Sequence, residues 1–150
     1  MTPVVVLDTN VLLAGIMSNR GASFQLLRAM MDDRFSVLLS VPLFCEYEAK
    51  LKQPEIMEQH GLSEPDIDRV LDFFVDKAVK VSFNFRWRPQ LQDPNDEMVL
   101  ETAVNGGARF IVTFNIKDFR RVAPRFGVAV EPPGAFLQRI KGEGKWDSTL

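Results

Sequence analysis

Apolar residues along this chain change their spacing several times. Val4-Val5-Val6-Leu7 is a continuous β-branched and aliphatic run that stops at Asp8. A short run of this kind fits a strand buried on both faces, as in a parallel sheet. The mostly apolar stretch Asn10–Met17 then begins a predicted helix, which Asn19, Arg20 and Gly21 end. Phe24, Leu27, Met30 and Met31 give Ser23–Asp33 one apolar helical face. Phe35–Leu39 is a second predicted strand. Ser40 and Pro42 have the residue types of a helix cap and first turn, and Leu43, Tyr47 and Leu51 fall on one side of that helix, which is expected to stop near Pro54.

The second half repeats the alternation. Ser63-Glu64-Pro65-Asp66 resembles a capping box with Asp in place of Glu, and Ile67, Val70, Leu71, Phe74 and Ala78 follow at helical spacing. Val79–Phe85 alternates and predicts a third strand. Asp93-Pro94-Asn95-Asp96 opens a helix that buries Val99, Leu100 and Ala103 and ends at Gly106-Gly107. Phe110-Ile111-Val112 and Val128-Ala129-Val130 are the fourth and fifth predicted strands, and the polar segment from Lys141 to Leu150 is expected to be loose. Strands alternating with helices predict an α/β domain in which a mostly parallel sheet of about five strands is covered on both faces. The expected domain spans 1–150, with its core at about 4–137.

Composition narrows the chemistry. Apolar residues make up 46% of 150 residues, enough for a continuous core and too many for a disordered chain. Cys45 and His60 stand alone in their residue types, so a structural zinc site and an internal disulfide are both excluded, and any metal must be held mainly by oxygen. The start Met1-Thr2-Pro3 lacks the basic region of a signal peptide, and no apolar run is long enough to span a membrane, so a cytoplasmic location is expected. A net charge of −2 gives no overall field for nucleic acid, which leaves local patches to provide one.

Ligands of open parallel sheets bind beyond the carboxyl ends of the strands. In this chain Asp8, Glu46, Asp93, Asp96, Asn115 and Asp118 fall at such positions, from four separate segments. Gathered carboxylates repel and resist burial unless a cation is present, and hard oxygens suit Mg²⁺ or Mn²⁺. Such ions activate water and stabilise the leaving oxygen of a phosphodiester with no Cys or His nucleophile.

Four segments in order resemble the motifs of PIN domains: Val6-Leu7-Asp8-Thr9-Asn10-Val11-Leu12; Ser40 to Glu46 and Tyr47; Asp93-Pro94-Asn95-Asp96-Glu97; and Ile111-Val112-Thr113-Phe114-Asn115 through Asp118-Phe119. The resemblance covers about residues 4–137 and is strongest to the bacterial and archaeal (VapC-like) subgroup described as toxins of toxin–antitoxin pairs. It implies a three-layer α/β/α fold and an Mg²⁺- or Mn²⁺-dependent endoribonuclease. It also implies an RNA substrate, a protein antitoxin as inhibitor, and a homodimer. Asp8, Glu46, Asp96 and Asp118 would form the catalytic, metal-binding set. Asn115, at a position that is often Asp in the wider family, would add a neutral amide oxygen. Asn10 would orient Asp8 by hydrogen bonding and Thr113 would do similar work nearby.

Each residue also has a plainer role. Asp8 can cap a helix, Glu46 can be a surface residue, and Asn115 and Asp118 can be turn residues. Asp93 is read mainly as the N-cap of its helix. Cys45 is expected in the core and His60 in a solvated loop. Lys117, Arg120, Arg121 and Arg125 can steer an RNA backbone or form a solvated face. Trp87, between Arg86 and Arg88, can stack on a base or leave the core on an edge strand. Two other functions compete. A haloacid-dehalogenase-type phosphatase wants an acid where Asn10 stands. A catalytically silent PIN module would act by binding RNA or protein.

Overall fold

Three short apolar runs, 4–7, 36–39 and 110–112, become the buried part of a parallel sheet because helices cover them. The computed structural model describes residues 2–83 and 90–144. The strands β1 (Val4–Leu7), β2 (Ser36–Leu39), β3 (Val79–Lys80), β4 (Phe110–Val112) and β5 (Ala129–Glu131) form one sheet in the order β3-β2-β1-β4-β5, parallel throughout. Strands β1 and β4 are central, and Val5, Val6, Leu7, Ile111 and Val112 are wholly buried.

The helices are α1 (Thr9–Met17), α2 (Ala22–Met31), α3 (Val41–Leu51), α4 (Pro54–His60), α5 (Glu64–Lys77), α6 (Pro94–Gly106), α7 (Ile116–Phe119) and α8 (Pro133–Gly144), with a 3-10 turn at Ala123–Phe126. Right-handed crossovers put α6 on one face and the connections leaving β1 and β2 on the other. Helix α6 packs on β1, β2 and β4, and its C-terminal Gly107 takes the left-handed conformation, φ 68°, that ends the helix. Helix α8 is anchored by Phe136, whose ring meets Phe35 edge-on at 5.3 Å and Phe110 at 5.5 Å.

The chain leaves β1 toward β2 and leaves β4 toward β5, in opposite directions along the sheet. The switch point of the topology therefore lies between the carboxyl ends of β1 and β4, where a crevice is expected in open sheets.

Several local expectations are corrected. The third strand is only Val79–Lys80; residues 81–83 leave the ladder after Val81 N–H donates to Leu39 O (2.8 Å), and 84–85 lie outside the described residues. Helix α3 stops at Leu51, near Pro54 as expected, but Pro54 also opens a further helix, α4, so His60 is helical rather than in a free loop. Its ring bonds Leu51 O (3.0 Å) and accepts from Leu62 N–H (3.0 Å). Cys45 is exposed, because α3 turns Leu43, Tyr47 and Leu51 inward and residue 45 falls on the opposite side. Lys141 belongs to α8, which carries ordered helix to Gly144; residues 145–150 lie outside the described residues, as do Trp87, Arg86 and Arg88.

Candidate active site at the switch point

The carboxyl end of β1 delivers Asp8 into the crevice. Asp8 is 7% exposed, and its side chain makes no cap bond to α1. Its Oδ2 instead accepts a hydrogen bond from Thr113 Oγ1 (2.7 Å), at the end of β4. Thr113 Oγ1 also accepts from Asn115 N–H (2.9 Å), which fixes the turn that follows β4. Asn10 does not orient Asp8 as the sequence reading expects. Its Oδ1 accepts from Phe114 N–H (3.4 Å) and holds that same turn from the other side.

The residue before Asp8 is pinned from α3. Tyr47 is fully buried, donates its hydroxyl proton to Leu7 O and packs edge-on against Phe74 at 5.3 Å. Burial, and after it the Asp8 charge, holds the Tyr47 phenol well above its ordinary range, so it stays a donor. Helix α3 starts at Ser40, whose Oγ accepts from Leu43 N–H (3.3 Å) and donates to Thr102 Oγ1 (2.7 Å) on α6; Thr102 in turn donates to Met98 O (2.7 Å). This link fixes the helix carrying Glu46 against the helix carrying Asp96.

Asp93 caps α6 by accepting from Asn95 N–H (2.8 Å), with Pro94 in the first turn. Asp96 lies one turn in and is 9% exposed. Glu97 was not singled out by the sequence reading. It accepts from Gln90 N–H (3.0 Å) and Leu91 N–H (2.7 Å), holding the approach to α6. Its partners are backbone groups of an irregular segment, so no side-chain pattern announces it. Glu97→Ala is expected to leave these amides unpaired and cost about 1–3 kcal/mol in a urea titration.

Two cavities meet at Asp93 and Asp96. One, of about 270 Å³, is lined by Asp8, Asn10, Glu46, Lys50, Asn115 and neighbours. The other, of about 580 Å³, carries Asp118, Lys117, Arg121 and Arg125. The structure thus brings Asp8, Glu46, Asp93, Asp96 and Asn115 to one cavity and Asp118 to the adjoining one. Arg120 lines neither. Lys50, one turn after Glu46, and Gln53 and Ile56 on the path into α4 are lining residues that the sequence reading did not name.

The charges of this site act on one another. Burial raises the Asp8 carboxyl, opposed by the Thr113 and Thr9 hydrogen bonds and reinforced by Asp118 and Asp93. Burial also raises Asp96, to about 7, with Asp93, Asp118 and Asp8 adding repulsion and a hydrogen bond to Asp118 favouring its protonated form. Glu46 is raised by burial and, less, by Asp8 and Asp93, while Lys50 pulls it down. Among the described residues, no three acidic, His or Cys side chains are drawn together closely enough to hold an ion between them. The donors are hard oxygens, and a divalent cation would remove the repulsion and the burial penalty together. The residues fit such an ion in chemistry and placement rather than as a preformed cage.

No helix among the described residues is long and apolar enough to cross a membrane. No curated protein matches the chain at significant similarity. A chain in the crystal structure of VapBC2 from Rickettsia felis bound to a DNA fragment from their promoter superposes with a TM-score of 0.58. That match covers 86% of this chain and 98% of that one at 18% identity, and shows a shared fold. The PIN domain family model matches residues 4–117, from β1 through the turn after β4. With the sheet order, the switch-point crevice and the family model in agreement, this chain belongs to the PIN domain family.

Proposed function

We propose that this protein is a metal-dependent endoribonuclease that hydrolyses RNA phosphodiester bonds, acting as the toxin of a toxin–antitoxin pair in the cytoplasm. PIN domains are generally nucleases, which supports a hydrolase. The observation that carries the reading is the gathering of Asp8, Glu46, Asp93 and Asp96 around one cavity at the switch point, with Asp8 and Asp96 both raised by burial and repulsion. Asp8, Glu46 and Asp96, with Asp118 and the amide oxygen of Asn115, would hold Mg²⁺ or Mn²⁺. A bound divalent ion supplies neutralisation of phosphate charge and an acidified water. The chain's own residues position the donors: Thr113 fixes the Asp8 carboxylate, and Tyr47 fixes the backbone before it. Asn10 and Thr113 together hold the turn carrying Asn115.

A VapBC complex among the structures of the same fold supports a protein antitoxin as partner; the homodimer rests on the family resemblance. The test is cleavage of a labelled RNA mixture by the intact chain and by Asp8→Asn, each with Mg²⁺, Mn²⁺ or EDTA. Cleavage by the intact chain alone, and only with a divalent ion, is expected. Equal cleavage by both proteins would overturn the metal mechanism. Absence of cleavage, with RNA still bound, would instead favour a silent binding module. Asn115 bears on the number of ions: Asn115→Asp is expected to tighten Mn²⁺ binding in calorimetry several-fold, by adding a charge to the same turn.

A further inference from the structure

The larger cavity is lined by side chains of both signs, the acids Asp93, Asp96 and Asp118 and the cations Lys117, Arg121 and Arg125. The three cations form a row in sequence, four residues apart, on α7, in the turn after it and in the 3-10 turn. All three are exposed, and among the described residues none of them makes an ion pair, although Asp118 shares their cavity. They also do nothing to offset the Asp96 shift, which comes first from burial and then from Asp93, Asp118 and Asp8. Cations that share a cavity with carboxylates, yet make no ion pair with them, are available to an anion.

The smaller cavity is different. Lys50 is the one cation among the described residues lining it, and it is already engaged electrostatically with Glu46. Among the described residues, a phosphodiester chain crossing the acidic centre therefore meets free positive charge on one side only. Arg120, next to the row in sequence, points to neither cavity and supplies a built-in comparison.

We propose that Lys117, Arg121 and Arg125 form a one-sided phosphate-tracking subsite. It holds the backbone of single-stranded nucleic acid on one flank of the cut bond, and the Asp8–Glu46–Lys50 flank makes little contact with phosphate. The proposal rests on the nuclease reading for its orientation about a cut bond, but the subsite binds phosphates whether or not hydrolysis follows. The row meets successive phosphates, so substrates need several phosphates on one side of the cut and few on the other.

The test separates binding from cleavage. Fluorescein-labelled oligothymidylate of twelve nucleotides is titrated by anisotropy in EDTA, at potassium chloride from 0.1 to 1 M. The proteins are the intact chain, the three single Gln variants at Lys117, Arg121 and Arg125, their triple variant, and Arg120→Gln. Each lost contact is expected to lower the slope of log affinity against log salt by about 0.7, giving roughly 100-fold weaker binding by the triple variant at 0.1 M. Arg120→Gln is expected to keep the intact slope. The proposal falls if the triple variant keeps the intact slope, if Arg120→Gln loses as much as a row variant, or if the intact chain does not bind the probe. Cleavage of RNA with Mn²⁺ by these proteins distinguishes the two readings. Slope loss in a chain that never cleaves would keep the subsite and sink the nuclease. Cleavage with unchanged KM in the triple variant would sink the subsite and keep the nuclease.

Discussion

Asp96→Asn is expected to reduce RNA cleavage by roughly 10²–10³-fold while making the metal-free protein more stable. The activity loss follows if Asp96 is one of the charged donors: an amide cannot neutralise a cation, and a deficit of about 3–4 kcal/mol at the transition state has that size. The stability gain follows from the sign of the shift. Asp96 titrates at about 7 when folded against an ordinary value of 3.8. Below both values the group is protonated in either state and costs nothing. As pH rises from about 4 to about 7 the unfolded chain ionises first, and the folded state loses stability relative to it. Above 7 the cost is constant and on the order of 4 kcal/mol at most. In EDTA the intact protein should therefore melt at falling temperature across this window, and Asp96→Asn should flatten the profile and melt higher at pH 8. Excess Mn²⁺ should raise the intact protein more than the variant. A variant that is less stable than the intact chain at pH 8 would contradict the repulsion on which the site reading depends.

The second large effect is expected at Tyr47. It is among the largest fully buried side chains, and its hydroxyl supplies the hydrogen bond to Leu7 O. Tyr47→Ala removes the ring from between α3 and α5, opening a cavity beside Phe74, and should cost about 3–5 kcal/mol. That is a large share of a domain stability of about 5–15 kcal/mol. Tyr47→Phe keeps the ring and removes one donor, leaving a buried carbonyl unpaired at about 1–3 kcal/mol. Urea midpoints should rank intact, Phe, Ala. Because Leu7 immediately precedes Asp8, the Phe variant should also lose cleavage beyond its loss of stability. Equal midpoints for the intact and Phe proteins would show that the hydroxyl contributes nothing.

Much of this fold is legible in the sequence because the central strands are buried on both faces and so read as plain apolar runs. Edges and ends are less legible. Strand β3 pairs along one side only, and its Val79 is half exposed, so alternation overstates its length. Helix α4 begins at Pro54, and proline has the same appearance in sequence whether it ends one helix or opens another. Helix α8, for which the sequence analysis predicts no element, opens on Pro133-Gly134, yet its Phe136 is wholly buried. In the site, Asp8, Glu46, Asp93 and Asp96 are legible as acids beyond strand ends. Of the supporting contacts, the family resemblance points to Thr113, which bonds Asp8 where Asn10 does not; Tyr47 for Leu7, and Gln90 and Leu91 for Glu97, are less legible, because the partners are distant in sequence or are backbone groups.

The Asp8–Thr113 bond joins residues 105 apart in sequence, at the ends of the two central strands. This distance has a consequence for synthesis. The parallel ladder between β1 and β4 cannot zip until the later strand has emerged, and closing so long a loop is slow. A nascent chain that has exposed Asp8, and even Glu46, still lacks the strand that turns Asp8 into position. The ribosome-bound precursor is therefore expected to be inert toward RNA around it, and competence arrives in a single step once β4 and the turn after it have emerged.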